Sequence, residues 1–162
     1  MKPSGSTYWV VIVSLFFAYL LAIVPLPDWA LNWRPQWVLL FVFYWTMALP
    51  YRVGLGLSWT AGLLLDVLEG SVLGLNALVL LTVAYVSLSL HQRLRMYTPV
   101  QQSGVVLLAC LLALGMGQWL RVINGESVPV DAGYLFAAIT SAAIWPALFS
   151  LLRGLRRGFI TN

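Results

Sequence analysis

The chain has one cysteine, one histidine and few charges, and each shortage removes a class of function. Cys110 has no second thiol to join, so no intrachain disulfide can form. His91 and Cys110 stand far apart, and a metal site of the usual His/Cys kind cannot assemble from them. Charged residues make up 9% of the 162 positions, against roughly one quarter in a soluble domain. Nine are Lys or Arg and five are Asp or Glu, a net charge of +4. The basic residues are scattered between apolar runs rather than gathered on one face, which argues against nucleic acid as a partner. No nucleophile elbow, phosphate loop or pair of carboxylates in the middle of an apolar run is present. The sequence therefore predicts no enzyme, no cofactor and no resident metal. Repeats, low-complexity tracts and a separate soluble domain are also missing, which leaves one domain over 1–162.

What the chain does have is apolar surface. Apolar residues fill 61% of it, more than a water-soluble fold of this size can hide, whereas lipid can solvate it. Six apolar segments follow one another at 8–26, 36–49, 53–68, 72–90, 100–120 and 134–152. Four are long enough to cross about 30 Å of hydrocarbon, while the second and third cover only about 21–24 Å at 1.5 Å per residue. Charge decides those two. If all six cross, Lys2, Arg52, Arg93, Arg95, Arg153, Arg156 and Arg157 share one side and only Arg34 and Arg121 the other. Seven against two places both termini in the cytoplasm. Treating the third segment as re-entrant leaves three inside against six outside, which breaks the rule. The sequence thus predicts an all-α membrane protein, a six-helix transmembrane bundle.

Segment ends carry their own chemistry. Pro35 suits the first turn of helix 2, where its missing N–H costs nothing. Pro50 ends that helix, and Tyr51-Arg52 makes a tight turn into helix 3. Gly70 can close helix 3 in the left-handed conformation, and Ser71 can cap helix 4. Helices 2 to 4 are therefore expected as two tight hairpins. Trp9, Trp29, Trp33, Trp37 and Trp119 fall near the predicted interfaces, as an aromatic belt would. The first span is followed by Val24-Pro25-Leu26-Pro27-Asp28 without a small-x-small cleavage site, and reads as a retained anchor.

Few residues are candidates for a specific role. Asp66 and Glu69 lie three apart on one face near the outer end of helix 3. Their alternatives are a structural cap of the outer hairpin with an ion pair from Asp66 to Arg34, ion or proton handling, and contact with a partner. Gly54, Ser58 and Gly62 recur every four positions and make a flat strip where another helix can approach, either inside the bundle or from a partner protein. Ala18 and Ala22, and Ala109, Ala113 and Gly117, repeat that spacing. Asn76 is expected to bond to a neighbouring helix, Pro146 to kink helix 6, and His91 to be solvated. Arg153, Arg156 and Arg157 can orient the last span or touch anionic lipid heads.

From helix 2 into helix 4 the chain reads Arg34-Pro35-Gln36-Trp37-Val38-Leu39-Leu40, Tyr44-Trp45, and Ala48-Leu49-Pro50-Tyr51-Arg52-Val53-Gly54. It continues as Gly62-Leu63-Leu64-Leu65-Asp66-Val67-Leu68-Glu69-Gly70-Ser71-Val72-Leu73-Gly74 and Asn76-Ala77-Leu78. This ordered set resembles the rod shape-determining protein MreD family of bacterial inner membranes. The resemblance implies a non-catalytic component of the elongasome, which inserts side-wall peptidoglycan. Implied partners are the single-span protein MreC and, through it, MreB, RodA and its partner transpeptidase. Members of the family also resemble the substrate-binding subunits of energy-coupling-factor transporters, and the Ala18/Ala22 spacing is similar to a docking motif of those subunits. A membrane scaffold of wall synthesis is the first expectation. A small-solute-binding subunit of a transporter is the alternative, and it would need a polar pocket at the outer end, where the polar set is thin: Arg34, Asp66, Glu69, Asn76, Gln118, Arg121 and Asn124. No ring of charge lines any span, as an ion-conducting bundle would require.

Overall fold

Prolines and glycines set the ends of six α-helices in a computed structural model that describes residues 5–51, 53–129 and 131–160. Helix α1, Ser6–Ile23, stops three residues before the expected boundary. Val24 precedes Pro25, which disfavours helical backbone, and it turns out of the helix at φ −50°, ψ 121°. A short 3-10 segment, Asp28–Trp33, follows and was not foreseen. Helix α2 is Trp37–Ala48 and α3 is Leu55–Glu69. Gly70 closes α3 in the left-handed region (φ 65°), as expected. Gly74 is left-handed too (φ 96°), so α4, Leu75–Leu94, begins three residues later than 72 and Ser71 is not its cap. A capping box of Thr98 and Gln101 opens α5, Pro99–Ile123, with Pro99 at the first position. Helix α6, Gly133–Ile160, holds Pro146 inside it and runs past 152, taking Arg153, Arg156 and Arg157 into its last turns. Cations there suit the negative end of the helix dipole. No strand occurs among the described residues.

Helix α2 is the axis. Every residue from Val38 to Ala48 is buried. A helix apolar all round suits a core or lipid alike, and the side-chain bonds of Trp45 and Thr46 tie this one to its neighbours. It packs on α1, α4 and α6; α3 packs on α4, and α5 lies between α4 and α6. The expected α2–α3 hairpin is therefore not a close pair, because α4 takes the place beside α2. Tyr19 of α1 donates its hydroxyl to the Ala61 carbonyl of α3 and completes the ring around α2.

Cross-helix bonds fix the alternating direction. Trp45 Nε1 donates to Ser14 Oγ (2.8 Å) and Thr46 Oγ1 donates to Ser87 Oγ (3.0 Å), joining the last third of α2 to the middle of α1 and to the second half of α4. At the other end the Gln36 amide donates to Ser141 Oγ (3.0 Å). The α1 start and α6 finish thus share one end of the bundle, here the terminal end. The 3-10 segment, the α3–α4 turn and the α5–α6 loop share the far end.

Three helices, Leu75–Leu94, Pro99–Ile123 and Gly133–Gly158, are long and apolar enough to cross a membrane. Helix α1 is apolar but shorter. Helices α2 and α3 rise only about 18 and 22 Å. The outer surface remains apolar: Ile12, Phe16, Phe17 and Leu20 of α1 are all exposed. Ala18, by contrast, is sealed in the core, so the Ala18/Ala22 pattern of α1 does not form an outward docking strip.

Candidate functional site

The far end gathers most of the polar residues that the sequence singled out. Asp66 is fully buried there, in the last turn of α3. Its Oδ1 accepts from Ser71 Oγ and from the Asn76 amide, both at 2.8 Å. Its Oδ2 accepts from the Gly74 amide at 2.8 Å and the Ala77 amide at 3.4 Å. Asn76 and Ala77 are in the first turn of α4, whose amides have no partner within the helix. Asp66 therefore caps α4 from a different helix and places a carboxylate at its positive end. Glu69 joins this knot by accepting from Asn76 Nδ2 (2.9 Å).

The expected ion pair between Asp66 and Arg34 is not formed. Both Asp66 oxygens are occupied by the α3–α4 turn, and Arg34 follows the 3-10 segment, which packs on α6. Arg34 Nη2 is buried and has no hydrogen-bond partner among the described residues.

The small-residue strip also faces inward. Ser58 is fully buried, and a Cβ on Gly62 would overlap Ala77 and stand 2.7 Å from the Asn76 carbonyl oxygen. Gly62 is thus the point where α3 and α4 touch backbone to backbone, and it is unavailable to a partner helix. Gly54 precedes α3 and has no atom near the position of an added Cβ. Pro35 precedes α2 rather than entering its first turn, and Pro50 lies in the turn after it. Arg52 lies outside the described residues.

Two cavities open beside the knot. One of 170 Å³ is lined by Gln36, Glu69, Asn76, Gln118 and Arg121 among its polar residues. The other, of 380 Å³, has Asn32, Arg34, Gln118, Arg121 and Asp131 in its wall. Gln36, Leu114, Gln118 and Arg121 belong to both and form a common wall. Gln118 Oε1 is a second buried polar atom without a partner. At the terminal end a cleft of 330 Å³ is lined by Tyr44, Met47, Arg95, Gln102, Arg153 and Arg156. The sequence places Arg34, Glu69, Asn76, Gln118 and Arg121 in one outer polar set, and the structure brings them to these two walls; the sequence does not add Gln36, Asn32 or Asp131 to them, nor group the terminal cleft. No group of three or more His, Cys, Asp or Glu able to hold a metal occurs among the described residues.

The family model described as rod shape-determining protein MreD matches residues 5–155. A rod shape-determining protein MreD of Haemophilus influenzae is 31% identical over 150 residues, which are 92% of this chain and 92% of that protein. No solved structure matches the chain.

Proposed function

We propose that this chain, which belongs to the rod shape-determining protein MreD family, supports rod shape as a non-catalytic scaffold of side-wall peptidoglycan synthesis in the inner membrane. The observation that carries the reading is the family match, which runs from the start of α1 nearly to the end of α6. The bundle is consistent with it. Its buried polar side chains, Asp66, Ser87, Gln102 and Ser141 among them, are bonded to neighbouring turns and helices and hold the scaffold together.

In this reading all six helices belong to one multi-pass membrane unit, with the terminal end in the cytoplasm. The seven cations of that side against Arg34 and Arg121 support the orientation. Arg95, Arg153 and Arg156, around the terminal cleft, face anionic lipid heads. The protein partner is an MreC-like single-span protein, and MreB, RodA and its partner transpeptidase are reached through it. With Gly62 committed to α4, the partner helix must meet other faces of the bundle. The test is depletion in a rod-shaped host, together with purification from native membranes in mild detergent. Rounded cells and recovery of an MreC-like protein are expected; unchanged rods after depletion sink the reading.

A further inference from the structure

The far-end cleft carries a chemical demand that the chain does not meet itself. Arg34 Nη2 and Gln118 Oε1 are buried without a partner, one a donor and one an acceptor, and both residues line the 380 Å³ cavity. Arg121 lines the same cavity, and its guanidinium makes no hydrogen bond or ion pair among the described residues. Neither acid in the walls forms an ion pair with these arginines among the described residues. Glu69 accepts from Asn76, and Asp131 Oδ1 accepts from the Gly133 amide at 3.2 Å. A buried guanidinium nitrogen without an acceptor is costly, and so is a buried amide oxygen without a donor.

We propose that this cleft binds a phosphate-bearing polyol, with the phosphate against Arg34 and Arg121 and a neighbouring hydroxyl donating to Gln118 Oε1. Guanidinium groups each offer five N–H donors in a planar fork that matches phosphate oxygens. Two such groups in one cavity ask for more acceptors than a single carboxylate presents. Gln118 adds a hydroxyl donor to the requirement, because its oxygen is an acceptor; a polyol supplies that hydroxyl beside its phosphate, whereas the dianion of a simple alkyl phosphate has none. The volume lies in the usual range for small-molecule clefts, about 300–1,000 Å³. A phospholipid headgroup entering from the lipid and a free polyol phosphate arriving from solution share this chemistry.

The full chain is purified into phosphatidylcholine nanodiscs and titrated calorimetrically with glycerol 1-phosphate. A parallel sample in nanodiscs containing phosphatidylglycerol is examined by native mass spectrometry for retained lipid. Saturable glycerol 1-phosphate binding assigns the free ligand; selective retention of phosphatidylglycerol alone assigns the headgroup. In either case Arg34→Gln and Arg121→Gln should weaken the interaction at least about tenfold, as loss of a charge-assisted hydrogen bond does. Arg93→Gln, which removes a cation at the terminal end, should leave it unchanged. Gln118→Leu should weaken glycerol 1-phosphate but not methyl phosphate at pH 8, whose dianion carries no hydroxyl, and it decides the matter if Arg34→Gln fails to fold. The proposal is overturned if the unaltered protein binds neither compound saturably, or if binding survives both arginine substitutions.

Discussion

Gly62 lets α3 rest on the backbone of α4 at Ala77, with no side chain between the two helices. Adding a methyl there pushes the helices apart or bends one of them, and overpacking of this kind costs about 1–3 kcal/mol. Gly62→Ala should therefore lower thermal stability in detergent and the amount of protein in membranes. Gly54→Ala, with nothing within 4 Å of the new Cβ, should change neither. Equal stability of the two variants would show that α3 and α4 do not meet at Gly62.

Asp66→Asn preserves shape but turns an NH2 donor toward a set of donors. Hydrogen bonds to a charged group contribute about 1.5–3 kcal/mol each, so a loss of about 2–4 kcal/mol is expected once the turn relaxes. Arg34→Ala should cost much less in unfolding experiments, because Arg34 holds no part of that turn. Reversing the charges, Arg34→Asp with Asp66→Arg, should do no better than Asp66→Arg alone; recovery in the double variant would restore the ion pair that the structure lacks.

The bond from Thr46 to Ser87 joins the axial helix to α4 inside the core. Interhelical bonds of this type in membrane proteins average about 0.6 kcal/mol. A double-mutant cycle with Thr46→Val and Ser87→Ala should return a coupling near that size. A coupling of zero would mean that the pair only fills space.

Orientation can be read by labelling, in a Cys110→Ala background, with an impermeant thiol reagent outside intact cells. Met96→Cys, in the exposed α4–α5 turn, should be shielded, and Ser127→Cys, in the α5–α6 loop, should react. Met96 is a better site than Thr98, whose side chain caps α5. Labelling at 96 from outside would reverse the proposed topology.

Local signals in the sequence were read well, and distant ones were not. Gly70 announced its left-handed cap because few other residues take that conformation cheaply. Asn76 was expected to bond a neighbouring helix and does so, through Glu69. Pro25 marked the end of α1, although the boundary was placed past it instead of before it. The role of Asp66 was half legible: a structural carboxylate at the hairpin was foreseen, but not that it reaches amides eight to eleven residues later. Arg34 looked like the natural counter-ion because two short helices in sequence suggest two neighbours in space. The all-round apolar face of α2 does not settle its place, since such a helix suits lipid as well as a core. The cavity shared by Gln36 and Gln118 needed the placement of α5, which no spacing within the chain encodes.

The brevity of α2 has a geometric consequence. An axial rod of 12 residues, wrapped by neighbours of up to 28, cannot fill the sleeve they make. A hollow must open beyond each tip: Gln36 stands at the floor of one, and Met47 and Ala48 at the floor of the other. The depth of both recesses is then governed by the length of a helix that touches little of their walls. One added turn at either tip of α2 would plug the recess there while leaving Arg34, Arg121, Arg95 and Arg153 in place around a filled bore.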